Sequence, residues 1–243
     1  GTVECFAAAQ DEPVLNEIML ENSLQCYPAA CPDTFVCLAF NFTGGSLLRW
    51  VRDHLAAAEK AAAKRSGRDV YDLLTEEMAE EPTDLFVLPH MMATGTPHMD
   101  PDPVGAVIGL SMGTTRGQLL RAVLEGISYE MKLCQDCLER AGARLERFRA
   151  IGGAARNDFW LQLKADMYGR PVEKLAVSEA ASLGMAISAG VAAGVYDDAA
   201  KTAAGMVKPL QTFEPDPDRA RFYDDRLEEY REIYPALKRW REA

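Results

Sequence analysis

The chain has 243 residues, 48% of them hydrophobic and 8% aromatic, which is enough apolar material to bury one sizeable core. A formal net charge of −11 argues against a broad nucleic-acid surface, since neutralising phosphates takes clustered Lys and Arg and here the basic residues are interspersed with acids. No apolar run approaches the roughly 18 residues of a membrane span, and the N-terminus lacks the basic and apolar regions of a signal peptide, so a cytoplasmic protein is expected.

Residues 3–9, 23–30 and 34–42 are apolar runs separated by polar or Pro-containing turns, and they predict an antiparallel set of strands. Gly44 and Gly45 follow, and then Leu47, Leu48, Val51 and Leu55 recur at helical spacing. This is a strand, a double glycine and a helix. The helix is Ala-rich and is expected to stop near Ser66-Gly67. Asp69 can then cap a short helix carrying Tyr71, Leu74 and Met78 before Pro82.

Residues 85–88 predict a brief strand, residues 89–103 a loop with His90, His98 and four prolines, and residues 105–110 a return to strand. Thr114 or Thr115 can cap the longest helix, in which Leu119, Ala122, Val123, Ile127, Met131 and Leu138 keep the helical period until Gly142. A second strand, double glycine and helix then appears: 148–151, Gly152-Gly153, and 157–168 ending at Gly169. Residues 171–177 predict a strand and 180–193 a small-residue helix ending at Gly194. From Asp216, Tyr223, Leu227, Tyr230, Tyr234 and Leu237 mark an amphipathic helix, with Pro235 starting or kinking its last turns. The order predicts a mixed α/β domain with a sheet of about five strands and helices on its faces. The helices at 180–194 and at the C-terminus are expected to cover that sheet, although their apolar faces would also suit a partner.

Glycine lets a ligand approach the main chain, and a helix starting just behind it offers unpaired N–H groups and a positive dipole end, so both double-glycine junctions suit phosphate or a nucleotide. An acidic chain can hold a polyphosphate in this way, since backbone donors and a divalent cation do not enter the net charge. At Gly113-Thr114-Thr115 a helix cap is the favoured reading over a phosphate contact. The six cysteines, at 5, 26, 31, 37, 134 and 137, have no repeating spacing and read as reduced thiols. Cys134 and Cys137 share a helix face without a second pair to complete a tetrahedral site, so packing is favoured over metal or redox chemistry. Asp100, Asp102, Glu125, Asp158, Asp166 and Glu179 read as solvated, capping or bridging carboxylates. His54, His90 and His98 are dispersed, with no nucleophile pattern nearby.

Residues 149–172 read Arg-Ala-Ile-Gly-Gly-Ala-Ala-Arg-Asn-Asp-Phe-Trp-Leu-Gln-Leu-Lys-Ala-Asp-Met-Tyr-Gly-Arg-Pro-Val, which resembles the adenosine motif of FGGY carbohydrate kinases. The departure is Ile151, where the family's first of three glycines stands. Further landmarks keep family order: Gly1-Thr2, the stretch 44–50, the Pro-rich loop 88–101, Gly109-Leu110, 121–129, 179–186 and the Tyr-rich terminal helix.

The resemblance implies an actin-like ATPase (ribonuclease H-like) domain spanning residues 1–243 as the C-terminal, nucleotide-holding half of a kinase whose N-terminal half is absent. It implies ATP and Mg2+ as cofactors, with Thr2 meeting the terminal phosphates, Gly45 and Arg49 the nucleotide near phosphate and ribose, and Gly153 and Asn157 the adenosine. Glycerol kinases have Gln where Arg49 stands. No catalytic residue and no metal ligand is assigned here, because the family's base and its Asp-x-Gly-Thr loop lie on the N-terminal half; the fragment alone is expected to be inactive. The implied partners are a small sugar or polyol substrate, for which only Cys5 and Phe6 resemble positions near the pocket, the protein's own N-terminal domain, and a second copy in a homodimer. Nucleic acid and membrane are not implied. The alternative reading is a non-enzymatic actin-like nucleotide-binding or assembly module.

Overall fold

The computed structural model describes residues 3–177 and 179–243. Strand β1 (Glu4–Gln10), helix α1 (Glu17–Glu21), β2 (Gln25–Pro28) and β3 (Phe35–Asn41) open the chain. The three strands form an antiparallel sheet in the order β1-β3-β2, as the alternating runs predict. Next come α2 (Gly45–Leu55), α3 (Ala57–Ser66), α4 (Val70–Glu76), β4 (Phe86–Leu88), β5 (Ala106–Ile108) and α5 (Arg116–Arg140). The second half holds β6 (Phe148–Ala150), a 3-10 turn at Gly153–Arg156, α6 (Asp158–Tyr168), β7 (Val172–Leu175), α7 (Ala180–Ala192), α8 (Ala199–Met206), β8 (Pro209–Phe213) and α9 (Pro217–Glu242).

The single sheet of about five strands expected from the order of elements is not what the described residues form. Their strands divide into three small sheets: the antiparallel three, the β4-β5 pair, and β6-β7-β8, in which β6 and β7 run parallel and β8 is antiparallel to β7. The physical reason lies in α5. Its residues are buried on every side from Leu120 to Leu138, so it occupies the centre rather than one face, lying against β1, β3, β4 and α6. Strands of three residues at β4, β5 and β6 leave little edge with which to extend a neighbouring sheet.

Local rules account for most boundaries. Thr115, not Thr114, caps α5: its side chain accepts from the Gln118 N–H while Gln118 accepts from the Thr115 N–H, a reciprocal capping box. Asp69 caps α4 by accepting from the Tyr71 N–H, and Gly169 closes α6 in the left-handed conformation at φ 59°. The Ala-rich helix is interrupted at the fully buried Ala56 (φ −116°, ψ 43°), which divides it into α2 and α3. Helix α9 runs through Pro235 without ending; Tyr230, Ile233 and Tyr234 are buried on the turn before it, and this packing offsets the hydrogen bond that proline cannot donate. α9 does cover the core, as expected. α7 does not: only Ile187 is buried in it, so its small-residue face is largely open.

Two of the three histidines, His90 and His98 of the Pro-rich loop, come together. His90 Nε2 lies 3.1 Å from Glu130 Oε2 in the interior, the His90 and His98 rings are 6.0 Å apart, and His98 stacks on Tyr234 at 3.8 Å. The Tyr230 hydroxyl donates to Glu130 (2.7 Å), the Tyr234 hydroxyl donates to Asp100 (2.9 Å), and Arg241 stands 3.0 Å from the same carboxylate. These contacts fasten the Pro-rich loop to α5 and α9. His54 stays exposed on α2.

Burial pushes the His98 pKa below the ordinary histidine value. The fold therefore prefers neutral His98, so its contribution is fully present above pH of about 6.5 and is lost as pH falls through the depressed folded value. We expect the melting temperature to be lower at pH 5 than at pH 7, and this drop to shrink in His98→Phe, which keeps a ring on Tyr234. Thermal denaturation of both proteins across this range checks the sign.

Candidate functional site

The turn at Gly152-Gly153 leaves β6 and leads into α6. Gly152 has φ 82° and ψ −168°, a region open essentially to glycine alone, so the path of the turn depends on that residue. A Cβ at Gly152 or at Gly153 would meet no atom within 4 Å, so the main chain there faces open space. The next residues wind into the 3-10 turn, and Asn157 caps α6 by accepting from the Trp160 N–H at 3.0 Å. Trp160 fixes the helix: its ring is buried, its Nε1 donates to the Ser128 hydroxyl of α5 (3.0 Å), and Lys164 Nζ lies 4.1 Å from its centroid.

In front of this helix start is a cleft of about 380 Å³ lined by Arg68, Asp72, Thr75, Glu76, Arg156, Asn157, Asp158 and Phe159. Its far wall is α4, a helix to which the sequence assigns no ligand role. Asn157 Nδ2 donates to Thr75 Oγ1 at 2.8 Å across the cleft floor. Phe159 is backed by the Arg121 guanidinium, 5.2 Å from its ring, and Asp158 is paired with Lys174 (2.6 Å). Arg68 is paired with Glu76, and this hydrogen bond holds the Glu76 carboxyl below its usual range. The rim thus carries both signs of charge, and Arg156 adds a second guanidinium.

The other double glycine starts α2. Gly44 accepts from the Leu47 N–H at 3.0 Å, and the preceding turn is held by Asn41, which accepts from the Thr43 N–H (3.1 Å) and donates to the Thr43 carbonyl (3.2 Å). Beside it is a smaller hollow of about 170 Å³ lined by Thr43, Ser46, Leu47, Trp50, Met91 and Met92. Gly45 is half-buried at the helix start. Arg49 is exposed one turn on and makes no ion pair among the described residues. Arg52, on the following turn, lies 5.6 Å from the Tyr71 ring of α4. Helix α4 therefore meets α2 through Tyr71 and the start of α6 through Thr75.

Of the residues assigned from sequence, Asn157 lines the larger cleft and Gly153 lies in the turn that precedes it, while Gly45 and Arg49 stand at the start of α2. Thr2 lies outside the described residues. Thr75, Arg68, Asp72 and Glu76 were not singled out, and no local signal could have found them, since Thr75 and Asn157 are 82 residues apart. The carboxylates divide: Asp158 is exposed at the helix start, whereas Asp166 is fully buried, accepting from Gln162 (2.7 Å) and from the Asp216 N–H (2.9 Å), which anchors the start of α9. Cys134 and Cys137 are packed in the core.

Comparison with known proteins adds the following. The family profile described as FGGY family of carbohydrate kinases, C-terminal domain, matches residues 1–193. Glycerol kinase of Geobacillus sp. (strain WCH70) is 36% identical over 175 residues, covering 72% of this chain and 34% of that protein. The crystal structure of xylulose kinase from Rhodospirillum rubrum superposes with a TM-score of 0.79 at 27% identity, over 100% of this chain and 47% of the other. The structure of Plasmodium falciparum glycerol kinase with ADP gives a TM-score of 0.74 at 18% identity, over 96% and 45%. The chain spans about a third of the length of the curated relatives it matches.

Proposed function

The chain belongs to the FGGY family of carbohydrate kinases, matching their C-terminal domain, and from that premise we propose that it is the nucleotide-holding half of an ATP-dependent sugar or polyol kinase with an actin-like architecture. The observation that carries this reading is the turn at Gly152-Gly153: a backbone shape restricted to glycine, open to the outside, directly ahead of the capped start of α6 and beside a cleft.

The roles follow from the chemistry of each group. Gly153 lets the nucleoside approach the main chain, while Asn157 and Thr75 form the floor beneath it. The positive dipole end at the start of α2, where Gly45 lets a ligand approach the main chain, suits the phosphates, and Arg49 is the nearby cation. Thr2 is assigned to the terminal phosphates on the family resemblance alone. When bound, Mg-ATP supplies the phosphoryl group and the charge that neutralises it. On the family resemblance, Mg2+ enters with the nucleotide phosphates and their waters. The base that deprotonates the acceptor hydroxyl is assigned to the rest of the protein, so this chain alone binds and orients without completing transfer. No helix among the described residues is long and apolar enough to cross a membrane. A cytoplasmic protein and a homodimer both fit the family.

The experiment is a substrate screen of the full-length parent, followed by ADP release across glycerol, tetritols, pentuloses and hexuloses. The proposal predicts turnover with at least one of them and ADP formation that stops without the acceptor. Silence across the whole panel would count for an assembly module of the same superfold.

A further inference from the structure

Asn157 is assigned to the adenosine, yet its side chain is already engaged. Its Oδ1 accepts from the Trp160 N–H (3.0 Å), and its Nδ2 donates to Thr75 Oγ1 (2.8 Å), leaving one N–H of the amide. Thr75 is equally committed, since its Oγ1 donates to the Tyr71 carbonyl at 2.8 Å while accepting from Asn157. That hydroxyl is fixed in direction: its proton faces its own helix and its lone pair faces α6.

Helix α4 is short, seven residues, and buries only Leu74, yet Asp72, Thr75 and Glu76 on it line the cleft together with Arg68 just before it. The bond to Asn157 ties this thin wall to the capped start of α6.

We infer that Thr75 is a positioning residue for the nucleoside: through Asn157 it sets the spacing between α4 and the glycine turn, and so the width of the cleft. This rests on the nucleotide reading proposed above. The phosphate end, at the start of α2, is outside its reach.

The test titrates the full-length parent calorimetrically with ADP, with adenosine and with tripolyphosphate. Thr75→Val keeps the shape and removes the hydrogen bond; Thr75→Ala removes the hydrogen bond together with the methyl. Each is expected to weaken ADP and adenosine by about fivefold, the worth of one hydrogen bond, and to leave tripolyphosphate unchanged. Thr75→Ser should restore binding to within about twofold. Adenosine affinity unchanged in Thr75→Val, or an equal loss for tripolyphosphate, overturns the inference while leaving the nucleotide reading intact. A wild-type parent that binds neither ADP nor adenosine overturns both.

Discussion

Glu125→Ala is expected to lower the unfolding free energy by about 3–5 kcal/mol, the cost of stripping one partner from a buried ion pair. Arg121 and Glu125, one helical turn apart on α5, are nearly inaccessible to water and 2.7 Å apart. Arg121 also donates to the carbonyls of Ala79 (3.1 Å) and Glu80 (2.6 Å) and to the Tyr223 hydroxyl (2.9 Å). Glu125 accepts from the Tyr223 hydroxyl (2.8 Å) and the Thr83 hydroxyl (2.6 Å). Removing the carboxylate leaves a buried guanidinium charge without its counter-ion, and also loosens α9 and the segment after α4. Domains of this size have about 5–15 kcal/mol of stability in total, so the variant should melt some ten degrees or more below the parent. Glu125→Gln keeps an acceptor for the two hydroxyls and should fall between them. Equilibrium denaturation with urea gives the comparison; a loss under about 1 kcal/mol for the alanine variant would mean the pair is not buried as described.

The second large effect separates two neighbouring glycines. At Gly152 the backbone requires glycine, so Gly152→Ala should cost about 1–3 kcal/mol of stability and shift the turn. At Gly153 an added Cβ meets no atom within 4 Å, so Gly153→Val should cost far less stability than Gly152→Ala. Its isopropyl group, however, would stand where the nucleoside is proposed to approach. ADP affinity should then fall by at least about tenfold, equivalent to about 1.4 kcal/mol. Paired thermal melts and ADP titrations distinguish the two. A Gly153→Val chain that binds ADP as well as the parent does would move the nucleoside elsewhere.

Much of this was legible in the chain because the signals are local. Thr115 with Gln118, Asp69, and Gly169 each mark a helix end through contacts within a few residues, and both strand, double-glycine and helix junctions stand where the spacing predicts them. What escaped depends on distance or on weak patterns. Helix α1 has five residues; β8 buries only Phe213, so it carries no alternation to read; and α8 buries nothing. The sheets differ from the single one expected because the period of α5 shows one apolar stripe, whereas its polar residues Arg121, Glu125, Glu130 and Gln135 are buried too, each with a partner from elsewhere in the fold. The partner of Glu130, His90, sits in a loop that reads only as Pro-rich. At the site, the glycine turn and Asn157 could be named from sequence, while the opposite wall could not, since nothing near Thr75 announces a cleft.

A crystal structure of the protein with ADP decides whether the purine nucleoside lies against the turn at 152–153 with the start of α6 behind it. Adenosine density is expected in the cleft between α4 and α6, over Asn157 and Thr75 and against Gly153, with the phosphates directed toward the start of α2. Density for ADP anywhere else, with that cleft open and empty, would contradict it.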